Sequence, residues 1–139
     1  MADRPRILVV DDHQDLRELL VETLSHLDAD VHEAATGMEA VTQARALHPT
    51  VILMDVMMPG ELDGLQACQL IKQDPDLGPR CRVIFVSARS HAADRAAAVR
   101  AGGDGYFVKP YSPADIVDTV ARNLDQAQLG PAGAHGSSP

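Results

Sequence analysis

A chain of 139 residues, 45% hydrophobic and 23% charged, with ten glycines, nine prolines and no tryptophan, suits one globular domain and is short for two. Twelve Lys and Arg against 20 Asp and Glu give a net charge of -8, which repels phosphate backbones and anionic lipid and argues against direct nucleic-acid or membrane binding. Cys68 and Cys81 have neither metal-ligand spacing nor the density of a disulfide scaffold and read as reduced thiols; with no secretory signal and no run of about 20 apolar residues, the expected location is cytoplasmic.

Short apolar β-branched runs alternate with segments of helical period, the pattern of β-α repeats around a parallel sheet. Ile7-Leu8-Val9-Val10 reads as a strand, and Leu16, Leu19, Leu20, Leu24 and Leu27 as one apolar face of the helix after it. A weaker strand at Val31 to Ala34 leads to a helix with Val41, Ala44 and Leu47 that stops at His48-Pro49. Val51 to Met54 is the third strand, and after Met58-Pro59-Gly60 a helix carrying Leu65, Cys68 and Ile71 runs to Asp74-Pro75. Val83 to Val86 is the fourth strand. The alanine-rich helix from His91 to Ala101 offers only Val99 as a large apolar anchor and is expected to pack most loosely. Gly102-Gly103 ends it, Tyr106 to Val108 forms the fifth strand, and Ser112-Pro113 caps a last helix with Ile116, Val117, Val120 and Leu124. Residues 1–126 are expected to form the domain and 127–139 a disordered Gly/Pro/Ser-rich tail.

Strands one, three and four are apolar throughout, which means helices on both faces and a three-layer α/β/α sandwich. In such open sheets the ligand site lies beyond the carboxyl ends of the strands. There the chain places Asp11-Asp12, Asp55, Ser87 and Lys109-Pro110. Carboxylates gathered together repel one another unless a cation lies between them, and hard oxygen donors suit Mg²⁺, with Mn²⁺ as the alternative. Asp55 directly follows four apolar residues, where an unpaired carboxylate is costly, and this makes it a functional candidate. Lys109 is one of only two lysines, and its ammonium can reach a carboxylate or a phosphoryl oxygen. The Lys109-Pro110 bond is a candidate cis peptide.

This set of motifs resembles the receiver domain of two-component response regulators, from Arg6 to about Gln126. The matching residues are Asp11-Asp12, Asp55 in Asp55-Val56-Met57-Met58-Pro59, Ser87-Ala88, and the Gly102 to Pro110 segment. The resemblance implies a flavodoxin-like (βα)5 fold with strand order 2-1-3-4-5. It implies Asp55 as phosphoacceptor, direct Mg²⁺ contacts from Asp12 and Asp55, a contact from Asp11 largely through water, and a further ligand in the backbone carbonyl of Met57. Ser87 and Lys109 bind the phosphoryl oxygens, Ala88 leaves the entrance open, and Tyr106 is the switch aromatic. Three residues, Gly60, Glu61 and Leu62, separate Met58-Pro59 from Asp63-Gly64, where the family has two. Gly60 is expected to absorb the extra residue in a backbone conformation that other residues avoid.

The implied partners are a sensor histidine kinase or histidine phosphotransfer protein as donor. A downstream protein would be read through helix four, strand five and helix five, and a homodimer stays open. The chain is then no enzyme beyond its own phosphorylation and dephosphorylation. It is expected to be either a single-domain regulator or the receiver part of a longer one. A haloacid-dehalogenase-like phosphatase would need a second Asp two residues after the nucleophile, where Met57 stands. A flavin binder would want a phosphate cradle where Asp11-Asp12 stand.

Overall fold

The structure, a computed structural model, describes residues 4–136, with side chains described as far as residue 126. Among the described residues five strands and five α-helices alternate. They are β1 (Arg6–Val10), α1 (Gln14–Leu24), β2 (Asp30–Ala34), α2 (Gly37–Leu47), β3 (Val51–Asp55), α3 (Gly64–Gln73), β4 (Arg82–Ser87), α4 (Ala92–Arg100), β5 (Gly105–Val108) and α5 (Pro113–Gly136). A 3-10 turn at Gly78–Arg80, too short to leave a periodic signal, precedes β4. The strands are all parallel and ordered β2-β1-β3-β4-β5, as the resemblance implies.

Although the central strands are apolar throughout, the pleat sends alternate residues to opposite faces. Leu8, Val10, Ile52, Met54, Val83 and Phe85 face one way, onto Ala40, Val41 and Ala44 of α2, Ala67, Cys68 and Ile71 of α3, and Ala98 of α4. Ile7, Val9, Val51, Leu53, Ile84 and Val86 face the other way, onto Leu20 and Leu24 of α1 and Ile116, Val120 and Leu124 of α5. The result is the expected three-layer sandwich. Capping chemistry sets the helix starts: Asp63 accepts the Gln66 N–H at 2.8 Å while Gln66 accepts the Asp63 N–H at 2.9 Å, a reciprocal box that opens α3. Ser112 accepts the Asp115 N–H at 3.4 Å, with Pro113 as the first helical residue of α5, as predicted. Cys68 and Cys81 are buried free thiols, and burial pushes them up to about 11 and about 12.

Two expectations about packing fail. Leu16 and Leu19 are exposed, because α1 turns only the Leu20 and Leu24 side toward the sheet. Val99 is 71% exposed and Ala98 is the residue of α4 that is buried. Close packing at the end of this helix falls at Gly103, where a Cβ would meet the Phe85 ring and the Ala98 carbonyl. The helix of α5 continues to Gly136, where composition predicts a tail from residue 127. Gln126, Ala127, Gln128 and Leu129 are good helix formers and favour the extension. Residues 137–139 of that expected tail lie outside the described residues.

Candidate functional site

The carboxyl ends of the strands bring most of the expected residues together. Asp11 and Asp12 follow β1 directly, Asp55 is the last residue of β3, Ser87 is the last of β4, and Lys109 follows β5. Asp55 pairs in register with Val86, which puts Ser87 one residue further along the neighbouring strand. The backbone N–H of Lys109 donates to the Ser87 carbonyl at 2.7 Å, so the two phosphoryl-binding candidates are tied by main chain. The Lys109-Pro110 bond is cis, as anticipated.

Asp11 and Asp55 are buried, 2% and 6% exposed. The Lys109 ammonium lies 3.4 Å from Asp11 Oδ2 and 3.6 Å from Asp55 Oδ2, between the two carboxylates. Asp55 Oδ1 accepts the Met57 N–H at 3.2 Å. Burial pushes the Asp55 carboxyl above the ordinary aspartate range; the Lys109 charge and the Met57 hydrogen bond pull against it, and Asp11 and Asp12 add to the upward push. One amine is not enough for three carboxylates. The remaining deficit is visible at Asp12, whose Oδ1 is buried and accepts no hydrogen bond. A divalent cation held by these oxygens satisfies both the charge and the orphaned atom, so the donor set fits a hard metal ion.

The raised value at Asp55 has a consequence for stability. Because the folded-state pKa lies above that of an ordinary aspartate, protonating Asp55 stabilises the fold, fully at acid pH, and that contribution is lost as pH rises through the folded value. At neutral pH without metal, Asp55→Asn is therefore expected to raise the melting temperature by a few degrees, a gain that shrinks on acidification. Thermal unfolding of both proteins at neutral pH and near pH 4 checks this.

Ser87 is buried, and its Oγ accepts the Arg89 N–H at 3.1 Å. Ala88, the next residue, is exposed. Tyr106 is half-buried, donates its hydroxyl to the Arg89 carbonyl at 2.8 Å, and lies under the Arg95 guanidinium at 5.2 Å. The same loop residue, Arg89, thus holds both the Ser87 hydroxyl and the Tyr106 hydroxyl through its main chain. Gly60 takes φ +106 with no atom within 4 Å of where a Cβ would stand, the conformation expected of it at the extra residue. The Met57 side chain is exposed, which leaves its main chain as the part of that residue facing Asp55.

His13 escaped the sequence reading. Its Nδ1 lies 3.3 Å from Asp11 Oδ1 and 3.4 Å from Asp12 Oδ1, and its N–H donates to Asp11 Oδ1 at 2.8 Å. The available signal was its place directly after the acidic pair. Arg17 was missed too: it donates to the Asp11 carbonyl at 2.8 Å and pairs with Glu33 at 2.9 Å, bracing the loop after β1. The exposed Leu16 and Leu19 form, with Leu20, Pro110, Tyr111 and Pro113, an apolar groove of about 380 Å³ that opens beside Asp11 and Lys109. Lys72, the other lysine, pairs with Asp104 at 2.8 Å and donates to the Cys81 carbonyl at 2.6 Å, far from this pocket in role as well as in sequence.

The family model of the response regulator receiver domain matches residues 7–121. The chain belongs to that family. Among curated relatives, a protein described as probable transcriptional regulator ycf27, from Porphyridium aerugineum, is 35% identical over 89% of this chain and 51% of its own length. The DNA-binding response regulator MtrA of Mycolicibacterium smegmatis is 31% identical over 93% of this chain and 54% of its own. A solved structure, the response regulator DrrB of Thermotoga maritima, superposes with a TM-score of 0.77 at 28% identity, covering 89% of this chain and 54% of that one. The receiver domain thus spans about half the length of the curated relatives it matches. The DNA-binding name of MtrA stands partly against the expectation of no nucleic-acid partner, although only about half of that protein is matched. No helix among the described residues is long and apolar enough to cross a membrane.

Proposed function

We propose that this receiver domain, over residues 1–126, accepts a phosphoryl group on Asp55 and converts it into a changed protein-binding surface. The observation that carries this reading is the buried Asp55 carboxylate with the Lys109 ammonium 3.6 Å away and the unsatisfied Asp12 oxygen beside it. An Asp55 oxygen attacks phosphorus; the bond to the donor nitrogen of a phosphohistidine breaks, and the electron pair leaves with the imidazole. Asp12, Asp55 and the Met57 carbonyl would hold Mg²⁺, with Mn²⁺ as substitute and Asp11 acting through water, and an ion bound there would supply charge neutralisation for the transfer. Lys109 binds a second phosphoryl oxygen from where it now spans Asp11 and Asp55.

The Ser87 hydroxyl hydrogen is free to turn to a third oxygen, since Ser87 Oγ serves as acceptor from Arg89. That movement draws the Arg89 loop inward and removes the carbonyl that holds Tyr106 out. Pro110 then fixes where Lys109 leaves β5. The donor is a sensor histidine kinase or a histidine phosphotransfer protein in the cytoplasm, and the reader is a protein bound on α4, β5 and α5; pairing of two copies through the same face accords with that. Apart from its own phosphorylation and dephosphorylation the domain turns over no substrate.

Loading with beryllofluoride in Mg²⁺, followed by hydrogen exchange, tests the switch. Altered protection across residues 91–125, greatest in the sparsely anchored α4, is the expected result. Changes confined to the loops at Asp11 and Asp55 would remove the output face from this reading.

A further inference from the structure

We infer that His13 is a metal ligand that shifts the acidic pocket toward ions that accept an imidazole nitrogen. The inference rests on the reading of Asp11, Asp12 and Asp55 as a cation pocket and adds a donor to it. An all-oxygen set suits Mg²⁺ and Mn²⁺, whereas imidazole suits Co²⁺, Ni²⁺ and Zn²⁺. One donor atom from each of Asp11, Asp12, His13 and Asp55 lies within 4.8 Å of the others.

His13 Nδ1 stands 3.3 Å from Asp11 Oδ1 and 3.4 Å from Asp12 Oδ1, close enough for one ion to be shared by the ring and both carboxylates. The orphaned Asp12 Oδ1 is the very atom that faces the ring. The two ring nitrogens also differ in surroundings: Nδ1 turns inward to the carboxylates, and the His13 side chain is 66% exposed, so an ion can approach without opening the fold. The ring is held on the pocket side by its own main chain, since the His13 N–H is bound to Asp11 Oδ1 at 2.8 Å. That carboxylate oxygen keeps a further lone pair for an ion.

Titrations of the intact chain with Co²⁺ alone and Mg²⁺ alone, at mildly alkaline pH where imidazole offers a lone pair, separate the possibilities. Binding is followed by calorimetry and, for Co²⁺, by visible absorption. His13→Asn keeps the backbone bond to Asp11, and His26, His32, His48, His91 and His135 remain in both proteins, so the difference between them reports His13 alone. The expected result is a loss of Co²⁺ affinity of about tenfold or more, with Mg²⁺ affinity changed less than about twofold. Unchanged Co²⁺ affinity and spectrum overturn the inference. So does an equal loss for both ions, which would mean the ring acts on the carboxylates and not on the metal. Asp12→Asn separates this from the underlying reading: if it abolishes Mg²⁺ binding while His13→Asn leaves Co²⁺ untouched, the pocket stands and the His13 assignment falls. If the wild type binds no Mg²⁺ but Co²⁺ binding depends on both residues, the His13 assignment stands and the Mg²⁺ reading falls.

Discussion

Asp55→Asn is expected to abolish phosphoryl incorporation from acetyl phosphate and Mg²⁺, where the wild type takes up one group that is acid-stable and base-labile, as an acyl phosphate is. The amide offers no anionic oxygen to phosphorus, and no other carboxylate stands in the same place. Asp11 is buried too and is engaged much as Asp55 is, by an N–H on one oxygen and the Lys109 ammonium on the other, so label retained by the Asn variant but lost in alkali would point to Asp11. Asp12 is turned toward His13. Ser87 is the remaining nucleophile candidate, and among the described residues no carboxylate or imidazole is hydrogen-bonded to its Oγ to act as a general base; the Oγ accepts from the Arg89 N–H. Intact-protein mass measurement before and after mild alkali reads the outcome. Label that persists in the Asn variant and resists alkali would place the chemistry on a hydroxyl and sink the assignment of Asp55. Because Asp55→Asn is expected to be at least as stable as the wild type at neutral pH, loss of label cannot be put down to unfolding.

The second large effect is expected at Gly64. A Cβ there would fall inside the van der Waals shell of the Asp55 carbonyl oxygen and lie 3.0 Å from Val56 Cα, both main-chain atoms that cannot swing aside. The Gly64 N–H already donates to the Val56 carbonyl at 3.0 Å, so the start of α3 is fastened to the end of β3 at close quarters. Gly64→Ala must push the helix off the strand that carries Asp55. Overpacking of this kind costs about 3 kcal/mol or more when backbone has to move. Gly60→Ala is the control: φ +106 imposes strain of roughly 1–2 kcal/mol, but the surroundings are empty. Denaturant unfolding should rank the two in that order. The Gly64 variant should lose acetyl-phosphate labelling as well, whereas the Gly60 variant should keep it. Equal stabilities would mean that the approach of α3 to β3 is looser than these contacts require.

The residues of the pocket were legible in the sequence because a parallel sheet leaves little freedom at its carboxyl edge. Four apolar residues followed by Asp55, or Ile7 to Val10 followed by Asp11-Asp12, place a polar side chain at a strand end whatever the helices do. Helix faces were less legible. Leu16, Leu19, Leu20 and Leu24 all satisfy a helical stripe, yet the stripe is wider than the sheet surface α1 covers, and its first turn overhangs toward Pro110 and Tyr111. In α4 the sequence pointed to Val99 because it was the only large apolar residue, while the face of the helix that meets the sheet carries Ala98, a residue too small to signal a core position. His13 was passed over for a different reason. A lone histidine on a loop carries no pattern, and its nearness to two carboxylates becomes visible only when the turn after β1 is drawn in three dimensions.

The chain has no tryptophan and two tyrosines, Tyr106 and Tyr111. Tyr106 is stacked beneath Arg95 with its hydroxyl on the Arg89 carbonyl; Tyr111 stands in the groove of Leu16 and Leu19. Near-ultraviolet absorption and emission of the unmodified protein therefore come almost wholly from these two side chains, one tied to the loop after β4 and one in the groove beside Asp11. Events that move either can be followed optically without attaching a dye, and replacing either phenol by phenylalanine assigns the signal to one side chain or the other.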